Sequence, residues 1–113
     1  MASSQYSYDP ANEVDVELVL AVDVSLSMMP FELEIQRKGY AAAIVDPNVI
    51  KAIRQGIHGR IAVTYLEWAG DFSHRQVVPW TIIETAADAQ AFSESVAWGS
   101  PAIALTLALE RLA

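Results

Sequence analysis

The stretch Glu13-Val14-Asp15-Val16-Glu17-Leu18-Val19-Leu20-Ala21-Val22-Asp23-Val24-Ser25-Leu26-Ser27-Met28 decides how this chain folds. From Val16 to Val22 the side chains are almost continuously apolar and rich in β-branched residues, broken only by Glu17. Such a run is the pattern of a central parallel strand covered by helices on both faces. It ends in Asp23, Ser25 and Ser27, which alternate just past the carboxyl end of the strand, where open α/β sheets hold their ligands. One carboxylate and two hydroxyls are hard oxygen donors, suited to Mg²⁺ or Mn²⁺ with water completing an octahedral shell. The same three residues also suit the cap of a following helix, and the spacing alone supports either reading.

Working outward, Pro30 fits a first helical turn, and Glu32 and Glu34 favour the positive end of a helix dipole. Phe31, Ile35 and Ala42, with Leu33, Arg37, Tyr40, Ala41 and Ile44, give that helix an incomplete apolar stripe, and Asp46-Pro47 stops it. A shorter helix through Val49, Ile50 and Ile53 closes at Gly56. After a turn at His58-Gly59, Arg60 to Trp68 reads as a strand with Ile61, Val63 and Tyr65 on one face. Gly70-Asp71-Phe72-Ser73 turns it back into Gln76 to Ile83, where Pro79 cannot donate to a ladder and so predicts an edge strand in a hairpin. Thr85-Ala86-Ala87-Asp88 has the form of a capping box for a helix to Ala97 that buries Ala89, Phe92 and Val96. Ser100-Pro101 opens a last helix, apolar all round from Ile103 to Leu109. The sum is an α/β, Rossmann-like open sheet over residues 14–113, with three strands and three to four helices, behind a disordered lead at residues 1–13.

Composition narrows the function. At 53% hydrophobic and 19% charged residues, the chain is globular rather than disordered. Fourteen acidic against seven basic residues give a net charge of −7, which repels phosphate backbones and disfavours nucleic acid as a partner. With no cysteine, disulfides, thiolate zinc sites and cysteine nucleophiles are excluded. The opening residues lack the basic region and apolar run of a secretory signal, and no stretch reaches the ~20 apolar residues of a membrane span. As written, the chain stays where it is made; a trimmed N-terminus would make it an exported protein, so localisation stays open.

The stretch from Glu13 to Met28 closely resembles the first strand and metal loop of von Willebrand factor type A domains. Glu34-Ile35-Gln36-Arg37-Lys38-Gly39-Tyr40, the run Gly59 to Gly70, and Val77-Val78-Pro79-Trp80-Thr81 look like one bacterial branch of that superfamily whose function is unknown. The resemblance spans Glu13 to Ala113. It implies a metal ion-dependent adhesion site in which Asp23, Ser25 and Ser27 are the first ligands and a carboxylate from a protein partner completes the metal shell. It therefore implies a binding module rather than an enzyme. The family's next ligand, a threonine, falls at Pro101, which has no side-chain oxygen. Ser100 is the neighbouring substitute, since Thr106 lies more than a turn into the helix. The family's second aspartate would lie beyond Ala113, and a complete domain of this type has about six strands. The expectation is thus the N-terminal part of such a domain with an incomplete metal site. Two other readings accompany it: a degenerate or truncated domain acting only in assembly, or half of a split domain completed by another chain. A first strand left at an edge predicts self-association, strand exchange or marginal stability.

Other chemistry lacks its motifs. His58 and His74 stand in turn-like segments without a carboxylate at a useful spacing, and surface positions are the commoner reading. Trp68, Trp80 and Trp98, at element ends, read as core and rim packing. The loop after the first strand has no glycine, which argues against both a dinucleotide fold and a serine hydrolase elbow.

Overall fold

The computed structural model describes residues 10–24, 30–68 and 74–99. Residues 1–9 of the lead expected over residues 1–13, the turn at Gly70–Ser73, and the helix expected after Ser100 lie outside the described residues, while the rest of that lead holds a short 3-10 turn, Pro10–Asn12, whose Pro10 carbonyl accepts from Arg60. Three strands form one sheet in the order β1 (Glu17–Asp23), β2 (Ile61–Trp68), β3 (His74–Ile83). β1 runs parallel to β2, and β3 is antiparallel to β2. The parallel crossover contains two helices, α1 (Pro30–Ile44) and α2 (Pro47–Arg54), and α3 (Ala86–Trp98) follows β3. The architecture is therefore α/β with a mixed, open sheet, as the sequence predicts.

Alternation in β2 puts Ile61, Val63, Tyr65 and Glu67 on one face, and all four are buried there. Parallel register brings Leu18, Leu20 and Val22 to the same face, because Leu18 pairs with Val63 and Val22 with Glu67. Helices α1 and α3 cover that face through Ala41, Ile44, Ala89, Phe92 and Val96. The two helices are also tied directly, since the Ser93 hydroxyl donates to the Ala41 carbonyl at 2.7 Å. Only part of the α1 stripe is used: Phe31 and Ile35 point away from the core and are exposed.

Asp46-Pro47 does more than stop α1. The Asp46 carboxylate accepts from the Asn48 backbone N–H at 2.8 Å and Pro47 takes the first turn of α2, so one dipeptide ends one helix and starts the next. The capping box of α3 forms in full, with Asp88 N–H donating to the Thr85 hydroxyl and the Asp88 carboxylate accepting from the Thr85 N–H. In β3 the pairing slips by one residue twice, since Val63 faces Thr81, Tyr65 faces Val78 and Leu66 faces Gln76. Pro79 lies in the first slip, where a missing N–H is tolerated. There the Thr64 hydroxyl donates to the Val78 carbonyl at 2.7 Å and accepts from Gln76 Nε2 at 2.9 Å.

Two expectations are corrected. Among the described residues β1 stands at the edge that the incomplete-domain reading expects, but it is covered on one face rather than on both, and Val19 on its other face is 50% exposed. The tryptophans belong to the rim and none to the core: Trp68, Trp80 and Trp98 are each half exposed.

Candidate functional site

Asp23 is the last residue of β1, at the carboxyl end of a parallel strand, and its side chain is exposed. It pairs with Trp68, the last residue of β2, and the ladder runs one bond further, from Val24 N–H to the Trp68 carbonyl at 2.7 Å. Ala21, Asp23 and Trp68 share the uncovered face and line a cleft there. One residue earlier Val22 is buried on the opposite face, so the strand end is anchored while the carboxylate stays in solvent. Of the residues expected to bind metal, Asp23 is the one described; Ser25, Ser27 and Ser100 lie outside the described residues, as does Pro101. Among the described residues no three His, Cys, Asp or Glu side chains cluster as a metal site. A cation at this strand end would thus take one hard oxygen from the described residues, that of Asp23, and its remaining protein donors from hydroxyls beyond them.

Beneath this strand end, on the covered face, lies a polar network. Glu67 pairs with Val22 across the sheet and is 6% exposed. Arg37 of α1 grips it with two bonds, Nε to Oε2 and Nη2 to Oε1, both 2.6 Å, in the fork geometry that suits a carboxylate. The Tyr65 hydroxyl donates to Glu67 Oε2 at 2.9 Å. Burial alone would raise the Glu67 pKa, but the bonds from Arg37 and Tyr65 outweigh it and hold the carboxyl below its ordinary value. Burial, and then the bond to Glu67, push the Tyr65 phenol up.

The network reaches the turn that follows α3. Gly99 has a positive φ of 69° and ends the helix in the left-handed conformation. A Cβ there would lie 2.7 Å from Arg37 Nη1, so the guanidinium packs against glycine backbone. Arg75, opposite Glu67 on β3, donates to the Gly99 carbonyl at 2.8 Å. Arg75 therefore holds the backbone immediately before Ser100 and Arg37 packs against it, at the same end of the sheet as Asp23.

The sequence reading missed this network although its signal is present. Glu67 continues the buried alternation of Ile61, Val63 and Tyr65, and Arg37 falls in the apolar stripe of α1. Each charge breaks a pattern, but the 30 residues between them hide the pairing. The histidines carry no site: His58 is exposed, 3.6 Å from a Glu13 carboxylate oxygen, and His74 is exposed at the start of β3.

The fold and this strand end define an α/β open-sheet domain with a carboxylate presented at the end of its first parallel strand. The chain belongs to the family described as Protein of unknown function (DUF1194), which matches residues 13–107. No curated protein and no solved structure matches it.

Proposed function

We propose that the chain is a metal-dependent protein-binding module of the von Willebrand factor A type. In this reading Asp23, Ser25, Ser27 and Ser100 hold Mg²⁺ or Mn²⁺, and the metal, when bound, supplies a Lewis-acidic position for a carboxylate of a protein partner. The observation that carries it is the exposure of Asp23 at the carboxyl end of a parallel strand, followed in sequence by hydroxyls two and four residues on. Supporting it, Arg75 holds the backbone before Ser100, with Arg37 packed against it, at that end of the sheet. Nothing in this reading calls for a catalytic step.

A thermal melt followed by tryptophan fluorescence, in EDTA and then in millimolar Mg²⁺ or Mn²⁺, tests it. Metal bound only by the folded state raises the melting temperature, by about 2.7 kcal/mol of added stability at a hundredfold excess over Kd. The rise is expected to vanish in Asp23→Ala. A cooperative melt indifferent to either metal sinks the metal reading.

A second reading, assembly through the sheet edge, rests on β1 itself. Leu18 and Val19, and Val16 just before the strand, are exposed, and β1 has no second neighbour among the described residues. A second copy pairing antiparallel about Leu20 would set Glu17 against Asp23 twice, a like-charge opposition that disfavours self-pairing in that register. The edge thus suits a strand from another chain better. Sedimentation that shows the same assembly with and without EDTA supports this reading over the first.

A further inference from the structure

The Asp23 cleft is not the only concave surface. A shallow cavity of about 510 Å³, open to solvent, lies where Val45, Pro47, Ile50, Lys51 and Arg54 face Ala86, the first residue of α3. It is at the other end of the sheet. Ile83, just before α3, pairs with Ile61 at the start of β2, whereas Asp23 pairs with Trp68 at its end, and seven strand steps separate the two by roughly 20 Å. The volume is within the range of small-molecule sites. Its floor is apolar and fixed, since Val45 and Ile50 pack against the buried core.

The charge at this cavity opposes that of the chain. Among the described residues Arg37 is bonded to Glu67, Lys38 to Glu34, Arg60 to Glu84 and to the carbonyls of Pro10 and Glu13, and Arg75 to the Gly99 carbonyl. Lys51 and Arg54 are the two described cations whose side chains have no hydrogen-bond or ion-pair partner among the described residues. Both line this cavity, three residues apart on one side of α2. In a protein of net charge −7, two free cations beside an apolar floor select a ligand with an anionic head and an apolar body. A fully hydrophilic anion would leave the floor unused, and a neutral hydrocarbon would leave the cations unused.

We propose that this cavity binds a small, soluble amphipathic carboxylate, its alkyl or aryl body on Val45, Pro47 and Ile50 and its head between Lys51 and Arg54. Both cations lie in the last turn of α2, where they also offset the negative helix end. A purely local role of that kind gives no ligand binding, so the two readings part in one titration.

Backbone amide NMR of the full chain, titrated with sodium octanoate, 1-octanol and sodium acetate, makes the test. Octanoate is expected to shift Val45, Ile50, Lys51, Arg54 and Ala86 saturably, with 1-octanol and acetate each at least about tenfold weaker, as befits a charge-assisted bond added to apolar contact. In the double variant Lys51→Gln/Arg54→Gln octanoate should weaken at least about tenfold while 1-octanol is unchanged. Ala86→Trp, which fills the cavity and keeps both cations, should abolish octanoate binding. Equal affinity for octanoate and 1-octanol, shifts located elsewhere, no saturable shift, or undiminished binding in either variant overturns the proposal.

Discussion

Replacing Glu67 with glutamine keeps the side-chain shape but removes the charge and turns one of the two oxygens that accept from Arg37 into an amide donor, which makes Glu67→Gln the sharpest probe of how α1 is held to the sheet. The amide has the shape of the carboxylate and still offers the Tyr65 hydroxyl an acceptor, so the change isolates the pair with Arg37. Side-chain exposure is 6% for Glu67 and 18% for Arg37, so both charges are largely out of water. Removing one partner of a buried pair costs about 3–5 kcal/mol because the other charge is stranded. Arg37 keeps some access to solvent, and screening there brings the loss to the bottom of that range or just below it, about 2–3 kcal/mol. Against the ~5–15 kcal/mol stability of a domain this size, that is a large share. At ~4–8 °C per kcal/mol it lowers the melting temperature by about 10–20 °C. Tryptophan fluorescence during heating or urea unfolding reads it, and Arg37→Met/Glu67→Gln should recover at least half the loss by removing the stranded cation. The sign of the pH dependence gives an independent check. Glu67 is held below its ordinary value of 4.5, so its contribution is complete above that pH and is lost as the pH falls through the lower folded value. Wild type should lose this component in acid and Glu67→Gln should not. A loss below about 0.5 kcal/mol, the size seen for exposed pairs, would refute the reasoning.

Gly99→Ala should destabilise by more than the ~1 kcal/mol of a non-glycine residue in the left-handed region, because its Cβ also meets the Arg37 guanidinium. Urea unfolding checks this, and a loss that persists unchanged in an Arg37→Met background would show that only the backbone term acts. Thr85→Ala removes the acceptor for the Asp88 N–H and should lower stability by about 1 kcal/mol, with amide exchange rising first in the opening turn of α3. Unchanged exchange there would mean the cap does not hold the helix end.

Sequence alone determined the elements, because their signals are local. The β-branched run in β1, the alternation of Ile61, Val63 and Tyr65, the Thr85-to-Asp88 box and the edge position demanded by Pro79 each depend on residues a few places apart, and each appears among the described residues. The exposed carboxylate at the end of β1 was legible for the same reason, as strand and loop are contiguous. Tertiary structure alone decided what depends on distant residues. It joined Arg37 to Glu67 across 30 positions and set Arg75 against Gly99. It also left one face of β1 bare among the described residues and turned Lys51 and Arg54 toward an apolar cavity with Ala86. A charge on an apolar stripe tells the reader that a partner must exist, because an unpaired buried charge is too costly to keep. Which residue that partner is depends on how the layers close over one another, and no local pattern carries that information.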